Sequence, residues 1–144
     1  MNDNEFEALL NQEKVLDKFS DLPLFGSKKE YLIKGIDTDF ELFVDYSGKR
    51  IEFVQKQKYH LQETIGMVRL EIDAPPHINP DGTTVGRNHI HIYKENYDLR
   101  WAYSLKDFDI FLFKNTQDII EIFKDFCKYC NIKIEPKYYF QGRI

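Results

Sequence analysis

Two histidines, His89 and His91, alternate with isoleucines in the run His89-Ile90-His91-Ile92-Tyr93. Successive side chains of an extended strand point to opposite faces, so both imidazoles and Tyr93 share one face, with Ile90 and Ile92 on the other. At a rise of ~3.3 Å per residue, the two histidine Cα atoms stand roughly 6.5–7 Å apart. A third imidazole, His77, precedes them in the turn-rich stretch Asp73-Ala74-Pro75-Pro76-His77-Ile78-Asn79-Pro80-Asp81-Gly82. Such a set has two chemical uses. It can hold one divalent metal through His89 and His91, with His77 or Asp73 as a further ligand. It can equally move protons without any cofactor, because the unperturbed imidazole pKa lies closest to neutrality. In the phosphodiester version of that chemistry, one histidine takes the proton of a ribose 2′-hydroxyl and another protonates the leaving oxygen. The plain alternative is that these rings lie on a partly solvated sheet face or hydrogen-bond inside a loop-covered core.

The neighbouring residues suit a phosphate-bearing substrate. Arg100 to Leu105 reads as the strand after the histidine strand, and antiparallel pairing would set Tyr103 or Trp101 beside the histidine face. Tyr93, Arg100 and Tyr103 are the candidates to orient or stabilise the phosphate, and Arg87 can pair with one as well. Tyr97 or Trp101 can stack on a base, although core packing is the favoured reading for Trp101. Lys49, Arg50, Lys56, Lys58 and His60 gather near one hairpin with only Glu52 opposing them. That cluster reads either as a strip for a nucleic-acid backbone or as a solvated hairpin surface. Cys127 and Cys130 have C-x-x-C spacing late in a helix, where packing of small apolar residues is expected rather than redox or zinc chemistry. No Walker-type loop, G-x-G-x-x-G or G-x-S-x-G occurs, which removes the usual support for nucleotide hydrolysis, dinucleotide redox and acyl transfer.

The elements that must position these groups follow from periodicity. Phe6, Leu9, Leu10 and Leu16 recur at helical spacing after the cap residues Asn2 to Asn4, which predicts an amphipathic helix running to about Phe19. Ser20 to Ser27, with Pro23 and Gly26, reads as a loop. The period changes to two from Tyr31: a strand at Tyr31 to Ile36, a hairpin around Ser47-Gly48, and a strand from Met67 to Ile72 with Val68, Leu70 and Ile72 on one side and Arg69 and Glu71 on the other. Three prolines and Asp81-Gly82 then forbid regular structure in a long loop, and long loops in compact domains tend to carry function. Asn115 or Thr116 caps a second helix with the stripe Ile119, Ile120, Phe123, Phe126, Cys127 and Cys130. The tail Tyr138-Tyr139-Phe140 is expected to pack back on the body. The expectation is one α+β domain over 1–144: an antiparallel sheet of about six strands, able to close partly into a barrel, with an N-terminal and a C-terminal helix.

The 144 residues suffice to bury a substantial core, and 12 Phe with 9 Tyr supply the apolar bulk. A formal charge of -4 and a pI near 5.6 leave only a local patch for binding nucleic acid. No apolar run reaches the ~20 residues of a membrane span, and the acidic Met1 to Glu5 segment is unlike a signal peptide, so no membrane partner and a cytoplasmic location are expected. Two cysteines are too few for a disulfide framework, which agrees with a reducing compartment.

The Asp73 to Gly82 run, followed by His89 to Tyr93 and Trp101-Ala102-Tyr103, resembles a family of small uncharacterised bacterial and phage-borne proteins. The likeness extends from the first helix to the helix holding Phe126 and Cys127. It implies a setting among accessory or mobile-element genes, where toxins, immunity factors and inhibitors of host defence are common, and it brings no activity, cofactor or catalytic residue with it. The residues themselves point to a small RNA-directed hydrolase, an endoribonuclease of toxin or defence type, with His77, His89 and His91 transferring protons. The rival reading is a non-enzymatic acidic interaction protein, for instance a phage-encoded inhibitor that binds a protein of a host defence system.

Overall fold

The structure, a computed structural model, describes residues 1–16, 28–56, 64–109 and 111–134. The expected loop at Ser20 to Ser27, the residues Lys58 and His60, and the aromatic tail therefore lie outside the described residues.

The first helix, α1 (Asp3–Asn11), starts where the Asn2 side chain accepts the Glu5 amide. It ends well short of Phe19, because Lys14–Leu16 forms a strand, β1, paired with β2 (Lys28–Lys34) on one side and with β10 (Ile132–Lys133) on the other. Helical periodicity in this segment yields to backbone pairing with two partners, tertiary context overriding a local preference. Leu16 still reaches the core, but from a strand.

Next come β3 (Asp39–Asp45), β4 (Arg50–Lys56) and β5 (Thr64–Glu71), each antiparallel to its predecessor. The loop after β5 contains a small hairpin of its own, β6 (His77–Ile78) and β7 (Thr84–Val85). Then follow β8 (His89–Ile92), β9 (Ala102–Ser104), the single turn α2 (Leu105–Phe108) and α3 (Ile119–Tyr129). The main sheet has eight strands in the order β10-β1-β2-β3-β4-β5-β8-β9, and all pairs except β1–β10 are antiparallel. The sheet is open, with β9 and β10 at its edges. The partly closed barrel is thereby corrected, and so is the count of about six strands. The additional strands are pieces of two or three residues, too short to show an alternation in sequence.

One face of the sheet makes the core. Tyr31, Ile33, Phe40, Leu42, Val44, Ile51, Phe53, Val68, Leu70 and Ile90 sit at alternate positions of their strands and are buried. Helix α3 covers them through Ile122, Phe123 and Phe126, with the Phe123 ring 6.0 Å from Tyr31 and 6.2 Å from Tyr46. Its cap is Asp118, whose carboxylate accepts the amides of Ile120 and Glu121, rather than Asn115 or Thr116. Lys14 is the one fully buried cation among the described residues. Its ammonium donates to the carbonyls of Leu10, Gln12 and Cys130 at 2.9, 2.8 and 2.7 Å, which ties the end of α1 to the end of α3. Burial presses its pKa down to about 8.

Candidate metal centre

The opposite face of β5 and β8 is polar. The register sets Arg69 across from His91 and Glu71 across from His89, so two imidazoles, a carboxylate and a guanidinium meet on one patch of sheet. Two loops close over it, the β6–β7 hairpin carrying His77 and the connection from Lys94 to Arg100. His89 and His91 are 1% and 2% exposed, whereas His77 sits half-buried at the margin. Ring centroids are 4.7 Å apart for His77 and His91, 5.0 Å for His89 and His91, and 6.0 Å for His77 and His89. The three histidines singled out in the sequence do converge.

Each ring is fixed by a main-chain carbonyl. Nδ1 of His89 lies 2.7 Å from the Gly86 carbonyl, and Nδ1 of His91 lies 2.7 Å from the Leu99 carbonyl. A carbonyl only accepts, so each Nδ1 carries the proton and each Nε2 is turned inward. The inward atoms meet Glu71, whose Oε2 stands 3.3 Å from His89 Nε2. Its other oxygen, Oε1, is held 2.8 Å from Nε of Arg69, with Arg50 at 3.9 Å. One ligand atom from each of Glu71, His89 and His91 falls within 4.8 Å of the others. His77 points its Nε2 to the Arg100 carbonyl at 2.8 Å, which leaves its Nδ1 without a hydrogen-bond partner among the described residues.

The electrostatics match the geometry. Burial, reinforced by the Arg69 charge, drives His91 down to about 4, so that imidazole is neutral at physiological pH and keeps its Nε2 lone pair. Burial pulls the Glu71 carboxyl upward, but the neighbouring cationic groups, Arg69 foremost, outweigh it and hold it below its ordinary value. The centre thus offers one anionic oxygen and two imidazole nitrogens. These are donors of the kind that bind zinc and its neighbours in the first transition row.

A small clasp holds the His77 hairpin in place. Asn79 is 6% exposed, and its amide imitates a strand: Nδ2 donates to the Ala102 carbonyl at 3.0 Å while Oδ1 accepts the Ala102 amide at 2.8 Å. The outer edge of β9 is thereby satisfied by a side chain. At the hairpin tip Gly82 takes φ +90°, a conformation that suits glycine.

The family of unknown function DUF6978 matches residues 1–132. The chain belongs to DUF6978. No curated protein and no solved structure matches it. Residues 1–132 of this DUF6978 chain include every group of the centre.

Other residues expected at the site lie elsewhere. Tyr93 packs its ring 5.5 Å from Phe6 of α1 and donates its hydroxyl to the Met1 carbonyl, so it belongs to the core. Tyr103 pairs in register with Ile90 and therefore faces away from the histidines. Arg100 serves through its carbonyl, which holds His77. Its guanidinium is spent on the carbonyls of Tyr97 and Asn96, so it does not reach the centre as a charge. Trp101 and Tyr97 contact each other at 5.8 Å with Lys94 over the indole, apart from the imidazoles. Arg87 donates to the Asp73 carbonyl.

The basic strip is largely neutralised where it is described. Lys49 lies 4.0 Å from Asp73, Arg50 is within 4.0 Å of Glu52 and Glu71, and Lys56 is 3.2 Å from Glu41. Glu41, on the adjacent strand, and Glu71, across from the histidines, are carboxylates that proximity in sequence does not associate with the cluster. Glu71 is also the residue of the candidate centre missed in the sequence. Its alternation with Leu70 was legible, but only the β5–β8 register shows that it faces His89.

Proposed function

We propose that this protein is a metal-dependent hydrolase of nucleic-acid phosphodiesters, with one divalent transition-metal ion held by Glu71, His89 and His91 and with His77 as the proton-transferring group beside it. The observation that carries the reading is the aim of the two Nε2 atoms. With Nδ1 donating to Gly86, Nε2 of His89 is aimed at a carboxylate oxygen 3.3 Å away. A divalent ion among these inward atoms would take a donor from each of His89, His91 and Glu71 together. Two imidazoles plus one carboxylate are also a ligand set of hydrolytic zinc sites, in which three protein ligands leave a position for water.

An ion there would supply one thing, a water acidified to near neutrality. The chain's own groups do the rest. Arg69 pairs its charge with one oxygen of Glu71 and leaves the other to ligate, and the Gly86 and Leu99 carbonyls hold the rings in the ligating tautomer. Nδ1 of His77 would accept the proton of the attacking water and return it to the leaving oxygen, as a phosphorus–oxygen bond to water formed and the bond to the leaving group broke. Elemental analysis of protein purified without a histidine tag tests this, together with hydrolysis of a fluorogenic oligoribonucleotide with and without chelator. One equivalent of metal is expected, lost in His91→Ala and Glu71→Gln, along with chelator-sensitive cleavage.

The same 3.3 Å contact favours a second reading, proton transfer without metal. A proton on both nitrogens of His89 satisfies Gly86 and Glu71 at once, which makes His89 the acid and His91 the base for a ribose 2′-hydroxyl. Cleavage that proceeds in metal-free protein selects it and overturns the first.

A further inference from the structure

Two clefts flank the outer edge of β9 and share Gly86, Ser104 and Lys106 in their walls, so they form one continuous groove. Their volumes are about 740 and 710 Å³, each within the range of small-molecule sites. The two ends differ in chemistry. One contains Trp101, Tyr103 and Phe108, and Tyr103 is 42% exposed although it has a large ring to bury. The other contains Arg87, Lys106 and Lys114 against a single carboxylate, Asp109. Among the described residues these three cations pair with no carboxylate: Arg87 donates to the Asp73 carbonyl and Lys114 lies over the Phe111 ring. In a chain of formal charge -4 this is a local reversal of sign.

The groove also touches the candidate centre. Gly86, in the shared wall, gives its carbonyl to His89, and Ser104, beside it, is the register partner of His89. A Cβ added to Gly86 would meet nothing within 4 Å, so the backbone there lies open to a close-approaching ligand.

We propose that this groove binds single-stranded nucleic acid, with phosphates against Arg87, Lys106 and Lys114 and a base stacked on Tyr103. Flexible backbone phosphates match cations spread over loops, and an aromatic ring accepts any base face. A duplex, whose bases are already stacked, has no use for the aromatic end. The proposal deepens the hydrolase reading by naming its substrate path, and it rests on that reading only for this meaning, because the binding itself is measurable without turnover.

The test is fluorescence anisotropy with a short labelled phosphorothioate oligouridylate, which resists cleavage, using protein as purified. Neutralising three phosphate contacts gives a log–log salt slope near about -2, at about 0.7 per contact for single strands. The triple variant Arg87→Ala, Lys106→Ala, Lys114→Ala flattens that slope and weakens binding more than about tenfold, and Tyr103→Ala weakens it about tenfold with the slope unchanged. All four positions are exposed, so circular dichroism and metal content should match wild type. His91→Ala shows the reverse pattern, with metal lost and oligonucleotide binding kept, which separates failure of the groove from failure of the centre. Unchanged affinity in both groove variants overturns the proposal. So does equal affinity for polyglutamate, which would make the groove a surface for acidic proteins.

Discussion

Substituting Asn79 by alanine should unlatch the histidine hairpin without unfolding the sheet. The side chain makes two hydrogen bonds to Ala102, at 3.0 and 2.8 Å, in a place that is almost fully buried. Each such bond contributes about 1–1.5 kcal/mol net, and the main-chain groups of Ala102 are left to find water at the sheet edge. The free energy that keeps the hairpin closed should therefore fall by about 2–3 kcal/mol, which corresponds to roughly 30–150-fold more opening at 1.4 kcal/mol per tenfold. Native-state hydrogen exchange reads this directly. The amides of Ala102 and Gly82 should exchange faster by that factor, while Leu42 and Phe53, paired in the middle of the sheet, serve as the internal reference. Because His77, the proposed proton-transferring group, rides on the same hairpin, cleavage should drop in step with the opening. Unchanged exchange at Ala102, or an equal acceleration at Leu42, would refute the view of Asn79 as a local clasp.

Gly66→Ala should weaken metal binding without touching a ligand, since the new Cβ would stand 2.6 Å from Leu99 Cδ1 and 3.2 Å from its Cγ and push on the side chain of the residue whose carbonyl orients His91; isothermal titration with zinc checks it, and overpacking of this kind costs about 1–3 kcal/mol in urea unfolding. Lys14→Met should destabilise by about 2–5 kcal/mol in the same assay, because three carbonyls lose their donor, two of them in buried hydrogen bonds. Lys14 also gives the pH dependence a definite sign. Its folded pKa of about 8 is below the ordinary 10.5, so the folded state binds fewer protons between those values and the wild type should gain stability over Lys14→Met as pH rises through that window; a difference that stays flat or shrinks contradicts it. Cys127 and Cys130 are buried with their thiol pKa values raised by that burial, so neither should react with a thiol reagent until denaturant is added.

Much of this architecture was legible in the residues. Alternation marked β3, β4, β5 and β8, and it put His89 and His91 on a common face because the period of a strand leaves no other choice. The heavy use of proline and Asp-Gly marked the His77 loop as irregular. Local pattern failed where partners are distant. β1 carries a helical spacing but becomes a strand because β2 and β10 lie on either side of it, and Lys14 enters the core because the ends of two helices converge on its ammonium. Which residues share the histidine face is likewise a matter of register between strands, and register depends on contacts remote in sequence. It brought in Glu71, turned Tyr103 away, and drew Tyr93 toward Phe6. The sequence by itself determined that two imidazoles project together, because that follows from backbone geometry. Only the tertiary structure decided that a carboxylate meets them and that a clasped hairpin adds the third, because those contacts depend on how separate strands and loops pack.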